Sequence, residues 1–287
     1  MIETNGLRFI IGSGCNYNCF YCHHEGCKTK DNLLDLHDYE NKIIKLKEMC
    51  KANNIKDIAI TGGEPFLYYQ KLCIILKHFL DGTFNVVINT NASLISKYKD
   101  EISKWNKVEF HINLSTLNKA RHKKIINVDF FEKELESLDF LSTTKHAIRI
   151  NIICLKTLND DELIKLYDYC KNKNFEARYL VFYDCDKTTG QYVLTEEEIC
   201  EKLRNHITKR HSYGLIETEG EHPAQIVKCL CIDNECEKCK QTTYLHISPK
   251  LNIKYCMNLE DEVEIDYSNK TTIEESFKKA IKKLKEI

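Results

Sequence analysis

From Leu7 to about Phe182, short apolar runs alternate with stretches whose apolar residues recur at helical spacing. That alternation predicts repeated β-α units around a parallel sheet. Six strands are expected: Leu7 to Ile11, Asp57 to Ile60, Asn85 to Asn89, Val108 to Leu114, Ala147 to Ile153 and Ala177 to Phe182. In the fifth, Ile148, Ile150 and Ile152 alternate with Arg149 and Asn151, so one face carries polar groups. Helices are expected over Tyr39 to Lys51, Gln70 to Leu80, Ile95 to Lys104, Phe130 to Leu141 and Asp160 to Lys171. Asn159 is expected to cap the last of these, with Asp160, Asp161 and Glu162 complementing its positive end. Near the C-terminus, Thr243 to Ser248 and Asn252 to Cys256 resemble two short strands around a turn at Pro249 to Leu251, and the basic run from Lys278 to Lys285 reads as the solvated face of a terminal helix.

With 287 residues and 43% hydrophobic content, the chain can bury a full core, and disorder is not expected. A formal net charge of −1 offers no global basic field for nucleic acid. Fifteen cysteines without an apolar signal segment, and no apolar run approaching membrane length, suggest a reducing cytoplasm in which thiols bind metal or pack. Cys50, Cys73, Cys154, Cys170, Cys185 and Cys200 stand singly within element patterns, where small buried hydrophobes are the default.

Cys15, Cys19 and Cys22 differ, because their C-x3-C-x2-C spacing puts three thiols on one short loop. Three thiolates hold three irons of a [4Fe-4S] cube and leave the fourth open to a small molecule. A zinc knuckle is the alternative, with Cys27, His23 or His24 as fourth ligand, but it gives no role to the Gly62-Gly63-Glu64-Pro65 run. The loops after parallel barrel strands meet at one mouth. Cys15 to Cys22 follow the first expected strand and Gly62 to Pro65 the second.

A second group, Cys229, Cys231, Cys236, Cys239 and Cys256, is also a metal-site candidate. The hairpin would return Cys256 to the Cys236-Cys239 pair. A second [4Fe-4S] cluster is the expectation, because the N-terminal motif already predicts cluster chemistry, with a four-cysteine zinc ribbon as the alternative; whether Cys229 or Cys231 completes the set stays open.

With its aromatic Tyr21 before the last cysteine, the first motif resembles the radical S-adenosylmethionine (SAM) enzymes. The resemblance implies a partial (β/α)6 TIM-like barrel at 1–212, followed by an auxiliary iron–sulfur cluster region with a terminal helix at 213–287. It also implies that the open iron binds SAM, which is cleaved reductively to a 5′-deoxyadenosyl radical. Gly62, Gly63, Glu64 and Pro65 would then meet the SAM amino group, although Glu64 also suits bracing of the barrel mouth. Thr90, Asn113, Ser115 and Asn151 are candidates for ribose and carboxylate contacts, each with helix capping as the plain alternative. An electron donor such as flavodoxin or ferredoxin is implied as partner.

Within that superfamily the chain is similar to the GTP 3′,8-cyclases of molybdenum-cofactor biosynthesis, through Cys15 to Gly26, Thr61 to Leu67, Asn113 to Asn118, Arg149 to Ile152 with Asn159 to Glu162, Arg178-Tyr179-Leu180 and the distal triplet Cys236, Cys239 and Cys256. It departs where the substrate triphosphate is held. The cyclases carry arginines before the first cluster cysteine, beyond the Gly-Gly-Glu-Pro run and after the distal cysteine pair. This chain has Gly14, then Tyr68-Tyr69-Gln70, then Lys240 to Tyr244, and it ends without the cyclases' Gly-Gly tail. Arg178 is retained. The expectation is a related lyase or oxidoreductase acting on a nucleotide-like small molecule, with a peptide-modifying maturase and a non-catalytic metal-binding or electron-transfer protein as alternatives.

Overall fold

The computed structural model describes residues 2, 4–22, 35–184, 187–203, 209–211, 215–217, 224–229, 237, 240 and 244–287. In chain order the strands are β1 (Gly6–Ile10), β2 (Asp57–Thr61), β3 (Asn85–Thr90), β4 (Glu109–Asn113), β5 (Ala147–Cys154), β6 (Glu176–Val181), β7 (Lys209–His211), β8 (Leu215–Glu217), β9 (Ala224–Val227), β10 (Tyr244–Ile247) and β11 (Ile253–Lys254). The helices are α1 (Leu36–Ala52), α2 (Tyr69–Phe79), α3 (Lys99–Ile102), α4 (Lys119–Ile126), α5 (Phe131–Leu141), α6 (Leu163–Asn172), α7 (Glu196–Leu203) and α8 (Lys270–Lys285). Among the described residues no helix is long and apolar enough to cross a membrane.

Two compact units emerge, the first formed by Met1–Asn16, His23–Asn89 and Glu235–Ile287, the second by Tyr17–Cys22 and Thr90–Asn234. In the first, strands run in the order β11-β10-β1-β2-β3. β1 lies parallel to both β10 and β2, β2 lies parallel to β3, and only β11 runs antiparallel. The expected C-terminal hairpin is therefore present, with Ile247 opposite Ile253. In the second unit β4, β5, β6 and β9 form an all-parallel row, while β7 and β8 pair antiparallel apart from it.

Burial follows the sequence pattern closely. Ile58, Ile60, Ile88, Phe110, Ile112, Ile150 and Ile152 are all at most 1% exposed, the period-two face of strands covered by helices. Helix α1 starts at Asp35, whose carboxylate accepts from the His37 and Asp38 amides, and buries Tyr39, Ile43, Leu46, Met49 and Cys50. Helix α8 starts at a capping box between Asn269 and Thr272 and buries Ile273, Phe277, Ala280 and Leu284. Cys50, Cys154 and Cys170 are buried packing residues, whereas Cys73 and Cys200 are half-buried and Cys185 lies outside the described residues.

Two local expectations are corrected. Asn159 does not cap α6, which begins after Glu162. Instead Asn159 is fully buried, its oxygen accepts from the Leu155 amide, and its NH2 donates to the Ser115 and Ile153 carbonyls. The acidic run ties its turn to two neighbouring helices: Arg121 of α4 reaches Asp161 and Glu162, and Lys202 of α7 reaches Asp160. The segment expected as one helix from Ile95 is a 3₁₀ turn, Ile95–Tyr98, followed by the single turn of α3.

Candidate active site

The chain leaves β1 and enters the thiol loop without losing its hold on β2. The Ile11 amide donates to the Thr61 carbonyl at 3.0 Å, Gly63 N to Gly12 O at 2.9 Å and Glu64 N to Gly14 O at 2.9 Å. Such close approach demands bare backbone. A Cβ on Gly63 would stand 1.9 Å from Gly14 O, and one on Gly62, whose φ is +136°, would stand 2.4 Å from Gly12 O. Glu64 is fully buried, and its Oε1 accepts from the Phe66 amide at 3.0 Å, capping a 3₁₀ turn that begins at Pro65. Tyr68, at the end of that turn, accepts a 2.6 Å hydrogen bond from Gly14 N on its hydroxyl. Its ring fills the space that side chains at Gly12 and Gly14 would need. Cys15, the next residue, is exposed.

From Tyr17 onward the loop packs within the second unit. Cys22 N donates to Cys19 O at 3.1 Å, a turn that carries the second and third thiols; Cys19 is half-buried and Cys22 exposed. The loop amides of Asn18 and Phe20 donate to the Ile126 and Ile125 carbonyls at the end of α4, and Asn127 returns a bond from its NH2 to Asn18 O at 2.8 Å. Tyr17, Phe20 and Tyr21 join an apolar cluster with Ile125, Ile126, Leu155, Leu158 and Phe182. Below it, the Tyr17 hydroxyl donates to Glu134 Oε2 at 2.8 Å, and His122 Nε2 lies 2.8 Å from the same oxygen. Tyr21 donates to Asn113 Oδ1 at 3.0 Å. Burial, and then the adjacent Cys19 thiol, raise the Tyr21 phenol well above its ordinary pKa.

The other candidates sit at strand ends in two kinds of setting. Thr90 accepts from the Ala92 amide on its Oγ1 and so stabilises its own loop, whereas Ser115 Oγ accepts from Ile153 N and ties the end of β4 to β5. Asn113, Asn151 and Arg178 are directly paired across β4, β5 and β6, which places them in one row on one face. Asn113 spends its oxygen on Tyr21 and Ser115, leaving its NH2 as what it offers a ligand. Asn151 Oδ1 is a buried acceptor with no partner among the described residues. One pleat below lies a compensated charge row: Arg149 meets Glu109 at 3.0 Å, Glu176 at 2.7 Å and His111 Nε2 at 3.1 Å. The hydrogen bond from His111 and then the charge of Arg149 hold Glu109 below the usual carboxylate range. Burial, followed by the Arg178 and Arg149 charges, outweighs Glu109 and lowers His111.

Of the distal thiols, Cys229 is exposed just after β9 and Cys256 half-buried just after β11; Cys231, Cys236 and Cys239 lie outside the described residues. Among the described residues no three His, Cys, Asp or Glu side chains gather as they would around a single metal ion.

The donor set fits an iron–sulfur cofactor, since the loop presents three thiols, two of them exposed, with soft sulfur and no competing carboxylate in the run. The bare backbone at Gly62 and Gly63 is taken up by the chain's own Gly12 to Gly14 segment, so these glycines serve first to seat that run against the start of the thiol loop. Residues 9–170 match the family model described as the Radical SAM superfamily. The chain belongs to that superfamily. A GTP 3′,8-cyclase of Campylobacter jejuni (strain RM1221) is 28% identical over 232 residues, covering 79% of this chain and 70% of the cyclase. The GTP 3′,8-cyclase of Staphylococcus epidermidis (strain ATCC 35984) is 25% identical over 213 residues, 70% of this chain and 61% of the relative. Among solved structures, Streptococcus suis SuiB bound to its precursor peptide SuiA superposes with TM-score 0.69 at 16% identity, over 91% of this chain and 62% of SuiB. Native anSMEcpe with bound AdoMet gives 0.67 at 17% identity, over 97% and 82%. This radical SAM chain thus spans about three fifths of SuiB.

Membership makes it an enzyme, implies a [4Fe-4S] cluster and SAM, and confirms the α/β fold with an open, mostly parallel sheet expected of a partial barrel. Radical SAM chemistry in general requires a reductant. Sequence reasoning missed the Tyr17–Glu134–His122 contact, the Tyr68–Gly14 contact and the charge row around Arg149. A carboxylate at position 134, three residues after Phe131 on the apolar stripe of α5, was the available signal for the first.

Proposed function

We propose that this enzyme holds its SAM-cleaving [4Fe-4S] cluster on Cys15, Cys19 and Cys22 and acts on a nucleotide-like small molecule that lacks the triphosphate handled by the cyclases. When bound, the cluster and SAM supply a 5′-deoxyadenosyl radical that abstracts hydrogen from the substrate. The chain's own residues bind and orient. Gly62, Gly63, Glu64 and Pro65, held against the start of the thiol loop, meet the SAM amino group. The Asn113 NH2 and the Asn151 oxygen offer one donor and one acceptor at the strand ends, with the Arg178 guanidinium beside them. That row is the observation that carries the reading, since a buried acceptor beside an amide donor suits the ribose and carboxylate of SAM, while the substrate class rests on the likeness to the cyclases.

The Tyr68–Gly14 contact supports the departure from GTP. One position at which the cyclases carry arginine is here Gly14, and another falls within Tyr68-Tyr69-Gln70, whose first ring packs on that glycine. A triphosphate needs several converging cations, and this pair supplies none. The same replacement favours a second reading, a peptide substrate modified by cross-linking or oxidation.

The distal cysteines Cys236, Cys239 and Cys256, with Cys229 or Cys231, are proposed to hold a second [4Fe-4S] cluster within a C-terminal auxiliary region (213–287) that follows the barrel (1–212). A low-potential flavodoxin or ferredoxin in an anaerobic cytoplasm is the proposed reductant. The test is anaerobic reconstitution with iron counting and SAM incubation. About eight irons per chain, two cubes' worth, with release of 5′-deoxyadenosine that Cys19→Ala abolishes, supports the reading. Zinc without nucleoside release refutes it. Trials with nucleosides, nucleoside monophosphates and short peptides then separate the two substrate classes.

A further inference from the structure

The segment of the thiol loop between Cys15 and Cys19 is anchored by a buried polar cluster that stability alone does not explain. Glu134 is fully buried on α5, His122 is 3% exposed on α4, and Tyr17 is 9% exposed in the loop itself. One carboxylate oxygen, Oε2, meets both the Tyr17 hydroxyl and His122 Nε2, each at 2.8 Å. The remaining atoms, Glu134 Oε1 and His122 Nδ1, are buried without a hydrogen-bond partner among the described residues. Surrounding groups are aromatic: Phe130 lies 5.7 Å from Tyr17 and Phe131 lies 5.2 Å from His122, ring to ring. An apolar trio would fill this space with no desolvation cost and no unmatched lone pairs. What the polar trio adds is direction. Tyr17 must place its hydroxyl at one point, whereas a phenylalanine could slide.

The same helix end holds the backbone on either side. His122, Ile125 and Ile126 occupy one face of α4, three and four residues apart. The last two offer carbonyls that α4 itself leaves unmatched, and the loop amides of Phe20 and Asn18 take them. Asn127, in the left-handed conformation at φ 57°, closes the seam by bonding Asn18 O. Three consecutive loop positions, 16 to 18, therefore separate Cys15 from Cys19, and two of the three are fixed from α4 and α5.

We infer that Glu134 is a positioning residue of the SAM-cleaving site, acting through Tyr17 to hold the loop between the first and second cluster thiols in one geometry, with His122 orienting the carboxylate. This rests on the proposal that Cys15, Cys19 and Cys22 bind the cluster. Partners that orient ligand groups typically change metal affinity or activity by roughly 10- to 100-fold when removed.

The experiment compares reconstituted wild type with Tyr17→Phe, Glu134→Leu and Glu134→Gln. It measures iron content, the electron paramagnetic resonance spectrum of the reduced cluster with and without SAM, and the rate of 5′-deoxyadenosine release per cluster. The expected result is wild-type iron in Tyr17→Phe with an altered SAM-bound spectrum and a rate lowered about tenfold or more. Glu134→Leu should behave alike, and Glu134→Gln, which keeps an acceptor oxygen, should recover most of the rate. A Tyr17→Phe enzyme with wild-type spectrum and rate overturns the inference, whatever becomes of Glu134→Leu. Failure of the wild type itself to take up iron in a Cys19-dependent way overturns the underlying cluster assignment instead, and is told apart by that control.

Discussion

Replacing Gly63 by alanine would set a methyl carbon 1.9 Å from the Gly14 oxygen, 2.3 Å from its carbonyl carbon and 2.8 Å from Ser13 O. All three are backbone atoms, so no side chain can swing away. To restore ordinary contact at 3.4 Å, the Gly14 carbonyl must retreat by about 1.5 Å (3.4 minus 1.9). That movement strains or breaks the two 2.9 Å bonds, Gly63 N to Gly12 O and Glu64 N to Gly14 O. At about 1 kcal/mol net for each bond, plus about 1–3 kcal/mol for overpacking, the local cost is roughly 3–5 kcal/mol. Cys15 follows Gly14 directly and shares the displacement. A misplacement of about 1 Å commonly costs on the order of 100-fold in rate, equivalent to about 2.7 kcal/mol of barrier. The assay is anaerobic reconstitution of Gly63→Ala, iron counting, and timed release of 5′-deoxyadenosine. Gly82→Ala serves as the comparison, because Gly82 has φ +83° with nothing within 4 Å of an added Cβ. It should lose about 1–2 kcal/mol of stability through backbone strain alone and keep its cluster chemistry. If Gly63→Ala loads iron and cleaves SAM like wild type, the argument that the glycine cradle fixes the first thiol is wrong.

Three further outcomes are expected. Stability should decline as pH falls below about 6.5, in part through His146: burial first, against the bond to the Ile102 carbonyl, lowers its pKa from 6.5, so the unfolded chain binds the proton more readily. This contribution is fully present above 6.5, and urea midpoints across pH 5–8 should show a shallower slope in His146→Gln; an unchanged slope removes the assignment. Arg121→Ala leaves the largely buried Glu162 carboxylate without its cation and should lower the urea midpoint. An unchanged midpoint would mean that Thr116 and Leu117 suffice to satisfy Glu162. Substituting Cys236, Cys239 and Cys256 together by alanine should lower the iron count by about four, one cube, with the SAM-cleaving cluster retained; an unchanged count, or loss of zinc, would reassign the distal thiols.

The strands were legible because burial on alternate residues leaves a period that single substitutions do not erase. All six expected strands are present, with ends displaced by no more than one residue. Helix α4 was not anticipated, since Lys119 to Lys124 is dominated by basic residues and only His122, Ile125 and Ile126 turn inward. Asn159 was misread for a different reason. An asparagine ahead of acidic residues has the composition of a helix cap, and only the loop geometry shows that it satisfies three backbone groups spread over Ser115, Ile153 and Leu155. The thiol loop and its glycine partner were readable from spacing. The Tyr17–Glu134 contact spans 117 positions of sequence, and no local pattern encodes a bond of that range.

The interlock of Tyr68 with Gly12 and Gly14 also constrains how this pocket could have changed over time. A side chain introduced at position 14 would collide with the phenol oxygen at 2.6 Å, and one at position 12 would enter the ring itself, at 2.1 Å. A side chain at position 14 therefore needs the Tyr68 hydroxyl to swing aside, whereas one at position 12 needs the whole ring to leave. A laboratory attempt to enlarge position 12 must alter position 68 with it.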